Sequence, residues 1–298
     1  MPSLRSYFFR EIIKRATGLL GTRDSIDGWR QLSATGSRKP RIPKGVTIQA
    51  VQVGGVPCEW LCPEEALEEK ILLYLHGGGW ILGWYNSHRW MVGQIARACQ
   101  VRALAVDYRL APECPFPAGL EDCLSVYRGL LGGGTNPENI IIAGDSAGGN
   151  LTLAMLLALK ENGEPLPAAG ICLSPATDMA PRPASGAKPI NDAGLPRTFV
   201  AAVKPAYLAG ADPHQPLISP IYGNLTGLPR LLIQAGGDEY LLDEATRFSE
   251  KASQAEVDVH LSVYPHMWHV WQIFAPYLPE ASQALTEIAG FTRKVWNL

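Results

Sequence analysis

Short, β-branched apolar runs separated by longer helical patterns constrain this chain more than any other feature. The runs "KILLYL" (70–75), "VRALAVDY" (101–108), "NIIIAG" (139–144), "AAGICLS" (168–174), "RLLIQAG" (230–236) and "VDVHLSVY" (257–264) have the length of strands and little polar alternation. Helical periodicity falls between them or after the last, near 88–99, 118–131, 147–161, 243–255 and 281–296. Strands that are apolar on both faces need cover on both faces, so the alternation predicts a mainly parallel sheet with helices on either side. "TIQAVQV" and "PCEWL" precede this series as a close, antiparallel-looking pair, which brings the sheet to about eight strands.

Two stretches break the rhythm. Residues 1–45 hold an amphipathic helical pattern, "LRSYFFREIIKRATGLL", and a Gly/Ser/Arg/Lys/Pro-rich linker, "SATGSRKPRIPKG". Residues 175–228 separate two strands and are rich in Pro, Gly and Ala; a connection of that length inside a compact domain usually has its own task. With 26 basic and 28 acidic residues the formal charge is −2, and without a Lys/Arg cluster to track phosphates, nucleic acid is not an expected partner. The six cysteines are scattered with no CxxC pair, which argues against a disulfide framework or structural zinc and for small buried hydrophobes. Charged residues interrupt the first helix, so it does not read as a signal peptide, and no run approaches the roughly 18 apolar residues of a membrane span. The expectation is a cytoplasmic protein without stable membrane insertion.

The chemistry concentrates in "IIIAGDSAGGN". Gly144-Asp145-Ser146-Ala147-Gly148 is a G-x-S-x-G placed between a β-branched strand and the helical run "NLTLAMLLALK". The flanking glycines permit a sharp strand-to-helix turn that lifts the Ser146 hydroxyl out of the sheet beside a helix N-terminus. A serine nucleophile needs a base and a group to orient that base. Among the six histidines, His76 opens a glycine loop and is expected to hold it, His260 lies within a strand pattern, and His88 and His214 default to solvent. His266 and His269, in "YPHMWHVWQIF", follow the last strand, where a base belongs in the order serine, acid, histidine. No carboxylate or cysteine cluster joins that pair to make a metal site. "QAGGDEYLLDEATRF" supplies the acids: Asp243 and Glu244 suit the start of a helix, leaving Asp238 or Glu239 to orient the base. Upstream, "YLHGGGW" (74–80) sets three consecutive glycines at a strand end. Ordering them costs entropy, which suggests backbone that bends sharply or presents bare N–H groups to developing negative charge.

"HGGGW" (76–80), "VDYRLAPE" (106–113) and "GDSAGGN" (144–150), in that order, resemble the hormone-sensitive lipase family of α/β-hydrolases, the bacterial family IV esterases, over roughly residues 45–296. The resemblance implies an α/β-hydrolase fold with a helical cap: an N-terminal cap segment (1–45) and a catalytic domain (46–298) in which 175–228 contains the cap insertion. It implies an oxyanion hole made by the N–H groups of Gly78, Gly79 and Ala147. In "VDYRLAPE" the expectation is structural, an Arg109–Glu113 ion pair bracing the loop. Relatives commonly read D-P-L-x-D-E at the acid, and aligning Leu241-Leu242-Asp243-Glu244 with its tail makes Glu239 the acid, 30 positions before His269. Where relatives have H-G-F, this chain has His269-Val270-Trp271, which keeps His269 as the base and changes the pocket wall.

The resulting expectation is a serine carboxylesterase with the triad Ser146, His269 and Glu239, needing no cofactor or metal. Trp80, Trp84, Tyr85, Tyr207, Leu208 and Trp271 are the expected walls, and a crowd of aromatics suggests small ester substrates with acyl chains of roughly C2 to C8. A homodimer through the last strand's edge is a further implication of the resemblance. An amide or carbamate hydrolase with the same triad and a non-catalytic small-molecule binder on this fold are the alternatives.

Overall fold

The computed structural model describes residues 2–21, 25–34, 41–181 and 192–298. Parts of the two stretches that broke the rhythm, 35–40 in the linker and 182–191 in the insertion, lie outside the described residues. Eight strands form one sheet: β1 (Val46–Val53), β2 (Val56–Pro63), β3 (Leu67–Leu75), β4 (Val101–Val106), β5 (Ile140–Asp145), β6 (Ala169–Leu173), β7 (Arg230–Gly236) and β8 (Val259–Tyr264). Their order is β1-β2-β4-β3-β5-β6-β7-β8. β1 and β2 pair antiparallel, β2 meets β4 antiparallel, and every pairing from β4 to β8 is parallel. This is the α/β-hydrolase fold expected from the sequence.

Side chains alternate across the sheet with the period of a strand. Ile71, Leu73 and Leu75 of β3 join the core beneath α4 (Ala118–Gly132), α5 (Ala147–Glu161) and α7 (Leu242–Gln254). Leu72 and Tyr74 join the opposite core, under α3 (Asn86–Cys99) and α8 (Pro279–Trp296). α5 is buried from Ala147 to Leu159, which is why its sequence is apolar all round instead of striped.

The chain runs from β3 outward to β4, then crosses back to β5 on the other side of β3. Sites in open α/β sheets form at such a reversal, outside the carboxyl ends of the strands. The register sets Leu75 opposite Gly144, so the glycine loop after β3 and the serine turn after β5 leave the sheet side by side. Three further helices, α1 (Leu4–Gly21), α2 (Ile26–Ala34) and α6 (Arg197–Leu208), contact the loops at this end. Arg10 of α1 pairs with Asp238 at 2.6 Å, buried Trp29 of α2 meets Phe199 of α6 with ring centroids 5.1 Å apart, and α6 presses on Gly79.

Two polar expectations differ. Arg109 pairs with Asp122 of α4 (2.8 Å) instead of Glu113, while Glu113 takes Arg30 of α2 at 2.5 Å. Arg30 also donates to the carbonyls of Ile81 and Ala111, so the ion pair ties α2 to the catalytic domain and holds the Glu113 carboxyl down to about 2. His88 is buried, with Nε2 3.8 Å from Asp145 Oδ2, and burial pushes its pKa down to about 4.

Candidate active site

Ser146 sits between the end of β5 and the first residue of α5 with φ +54° and ψ −115°, a conformation L-residues avoid unless the surroundings enforce it. The enforcement is visible at the neighbouring glycines. A Cβ on Gly148 would lie 1.9 Å from the Leu75 carbonyl oxygen, and one on Gly144 would lie 2.3 Å from the Gly148 oxygen. Only bare backbone lets the helix start this close to β3. Ser146 N–H donates to the Leu173 carbonyl at 2.8 Å, fixing the turn to β6 as well.

His269 Nε2 lies 2.9 Å from Ser146 Oγ. The histidine comes from the loop after β8, where Val270 adopts φ +53°. Burial lowers the pKa of His269, while the charges of Asp192 and Asp145 act in the raising direction. His266 is not brought to the serine; it is exposed, with Nδ1 3.6 Å from Asp238.

The two acid candidates separate clearly. Asp238 faces α1, a third exposed, in its ion pair with Arg10. Glu239 is buried: Oε2 accepts from Ser174 Oγ (2.6 Å) and from Gly236 N–H (2.9 Å), whereas Oε1 has no partner among the described residues. His269 Nδ1 is a second buried atom without a partner. Burial drives the Glu239 pKa up to about 8, the Ser174 hydrogen bond opposes the rise, and Asp192 adds to it. Glu239 Oε1, an acceptor, and His269 Nδ1, a potential donor, are both costly to leave unpaired. Sequence reasoning passed over Ser174. Its hydroxyl donates to Glu239 and accepts from Val270 N–H at 3.2 Å, linking acid and base loops from the end of β6.

The glycine loop is held from both sides. His76 is fully buried and neutral, its pKa pushed down to about 3 by burial; it stacks on Tyr108 at 4.3 Å, and Nδ1 donates to the Gly77 carbonyl at 2.8 Å. Asp145, the variable residue of the serine motif, accepts from Gly77 N–H (3.0 Å) and Tyr74 Oη (2.9 Å), locking loop to turn. Gly78 and Gly79 adopt φ +108° and +62°, and a Cβ on Gly79 would meet Val203 at 2.7 Å. Their N–H groups are engaged by no described residue. Ala147, first in α5, has no intrahelical acceptor for its own N–H.

Above the serine lies a narrow cavity of ≈ 40 Å³, walled by Trp80, Met179, Leu195, Phe199, Val203 and Leu241. Of the expected walls only Trp80 lines it. Tyr207 stacks behind Trp80 at 4.1 Å, and Leu208, next along α6, also lies outside the lining. Trp84 turns away to donate to Glu59 at 2.9 Å, and Trp271 is buried against Tyr264 at 5.0 Å. Tyr85 precedes α3, off the cavity. Among the described residues there is no group of three or more His, Cys, Asp or Glu able to hold a metal ion, and no helix long and apolar enough to cross a membrane.

Residues 72–273 match a family described as alpha/beta hydrolase fold. An acetyl-hydrolase of Streptomyces hygroscopicus is 42% identical over 84% of this chain and 82% of its own length. An esterase of Acinetobacter venetianus is 39% identical over 83% of this chain and 82% of its own. Among solved structures, an esterase from the bacterial hormone-sensitive lipase family superposes with a TM-score of 0.90 at 41% identity, covering 99% of each chain.

Proposed function

Since the chain belongs to the bacterial hormone-sensitive lipase family of α/β-hydrolases and is a carboxylesterase, we propose that it hydrolyses short-acyl esters through an acyl-enzyme on Ser146, with His269 as base and Glu239 as the orienting acid. The observation that carries this is the 2.9 Å approach of His269 Nε2 to Ser146 Oγ at a strained turn beside three unengaged N–H groups.

In this reaction His269 takes the hydroxyl proton as Ser146 Oγ attacks the ester carbonyl. The carbonyl oxygen becomes an anion received by the N–H groups of Gly78, Gly79 and Ala147, where each donor is worth on the order of 10²–10³ in rate. His269 then hands the proton to the departing alkoxide, and water, deprotonated by His269, releases the acid and restores Ser146. In its ionised form Glu239 keeps Nδ1 protonated and offsets the charge on the imidazolium, and burial, by raising its pKa to about 8, opposes that form in the resting site. The cap helices α1, α2 and α6 close the site from above.

Acyl length follows from the walls. Free space of ≈ 40 Å³ is room for roughly three waters, so an acetyl or butyryl group fits and a long chain must leave by the mouth. Rates with p-nitrophenyl esters from acetate to palmitate are expected to peak between roughly C2 and C8, and a matched anilide is expected to react far more slowly. Rates rising steadily past C12, or equal turnover of the anilide, would refute the substrate class.

A further inference from the structure

The segment 192–195, which leads into α6, makes contacts that a simple cap linker does not need. Asp192 Oδ1 accepts from the His269 backbone N–H at 3.2 Å and from Gly194 N–H at 2.8 Å, while Oδ2 accepts from Tyr240 N–H at 2.9 Å. Tyr240 directly follows Glu239, so one carboxylate fastens the acid loop and the base loop together through their own backbones. The approach is close: a Cβ on Gly194 would lie 2.8 Å from the His269 carbonyl oxygen and 3.3 Å from His269 Cβ. The Ala193 carbonyl accepts from Thr17 Oγ1 of α1 at 2.8 Å, and Leu195 lines the cavity. Four consecutive residues thereby touch the acid loop, the base loop, the N-terminal helix and the acyl wall.

We propose that Asp192 is a positioning residue that clamps the Glu239 and His269 loops in register and makes their alignment depend on how the cap segment is seated. The proposal rests on the Ser146–His269–Glu239 reading. An amide cannot replace the carboxylate. All three partners are donors, and an Asn in either orientation sets its NH₂ against at least one of them. Misplacing a base by a fraction of an ångström is expensive, since reaction rate depends on near-attack geometry. The charge matters as well. His269 faces Asp192 from the cap segment and Asp145 from β5, and Asp192 acts on it ahead of Asp145. Glu239 faces Ser174 from β6, Asp192, and Glu244 from α7. Asp192 raises the pKa of both members of the pair, so neutralising it moves both downward.

The test measures kcat, KM and the pH dependence of kcat/KM with p-nitrophenyl butyrate. For Asp192→Asn we expect kcat down about 10-fold or more with KM little changed, and the acidic limb displaced to lower pH by on the order of half a unit. Asp192→Glu, which keeps the charge, should hold the limb near its wild-type position. Thr17→Val, which loosens the segment from α1 without touching either loop, should lower kcat in the same direction and provides the reading if Asp192→Asn does not fold. Wild-type kcat and an unmoved limb in folded Asp192→Asn, or wild-type kcat in Thr17→Val, would overturn the clamp. Ser146→Ala separates the two levels: retained activity defeats the triad reading itself, whereas an inactive Ser146→Ala beside an unaffected Asp192→Asn defeats the clamp alone.

Discussion

A carboxyl group with no access to water and no countercharge is poorly placed for stability, and Glu239 illustrates what that implies. Its pKa stands near 8 in the fold against an ordinary 4.5. Between those values the folded chain holds a proton that the unfolded chain has lost, so Glu239 makes stability fall as pH rises through this window. Glu239→Gln removes that cost, because an amide oxygen placed where Oε2 lies can still accept from both the Gly236 N–H and the Ser174 hydroxyl. We expect the variant to melt several degrees higher than wild type near pH 9, a gain on the order of 2 kcal/mol, with little difference near pH 4. Its esterase rate should fall about 10³- to 10⁴-fold. Thermal melts at the two pH values check the sign; equal melting near pH 9 would mean Glu239 is not held against ionisation. Asp238→Asn should weaken only the contacts to Arg10 and His266 and keep its rate within about a factor of three, since this partly buried surface pair lies away from Ser146 and contributes little to the chemistry. The preference for Glu239 over Asp238 rests, in the sequence, on the L-x-D-E alignment and the spacing to His269, because adjacent carboxylates look alike until one knows which is buried. Ser174 had no signal at all: a serine ending a strand is common, and its φ of +49° and its two partners belong to tertiary structure.

At the scale of elements, β5, the serine turn and α5 were readable because their chemistry is local: an apolar strand, glycines where Cβ atoms collide, then a helix. Gly148→Ala sets a Cβ 1.9 Å from a backbone oxygen that cannot yield; we expect loss of more than about 3 kcal/mol and little soluble protein, measured by expression and melting. The walls of the cavity were not readable in the same way. Aromatic residues announce bulk but not direction, and Trp84, Tyr207 and Trp271 point into three different packings. One side of the wall is the i, i+4 pair Phe199 and Val203 on α6, which pack against Trp29 of α2 and Gly79. Phe199→Ala should therefore open the pocket and raise the rate on a C10 ester relative to C4 by about 10-fold; an unchanged ratio would place chain-length control elsewhere. The Arg109–Glu113 pairing failed for a related reason. Nearness in sequence suggested a partner four residues away, but α4 presents Asp122 and α2 presents Arg30.

For the whole molecule, opposing titrations set the pH of greatest stability. His76 and His88 are kept neutral by burial, with pKa values near 3 and 4, and burial lowers His269 too. The unfolded chain takes up these protons near pH 6.5, so the stability they represent is present above that value and lost as pH falls, for His76 and His88 toward 4 at about 1.4 kcal/mol per unit each, with His269 acting in the same direction. Glu239 acts with the opposite sign between about 8 and 4.5. Melting temperature should accordingly peak near pH 6.5 and drop steeply on the acid side, and a plateau extending down to pH 4 would contradict the neutral, buried histidines. The fold itself was the most legible part, since βα alternation, the number of strands and the two stretches that break the rhythm follow from hydrophobic spacing, whereas the order of strands in the sheet does not. Where α1, α2 and α6 rest was not, because it depends on contacts between residues as far apart as Arg10 and Asp238. All of these elements converge on one hydroxyl, and the most direct test is to quench the enzyme during turnover of p-nitrophenyl acetate and map the acyl group by mass spectrometry. One acetyl per chain on the peptide carrying Ser146, absent from Ser146→Ala, is the predicted result; steady hydrolysis with no adduct, or with the adduct on another residue, would contradict the account.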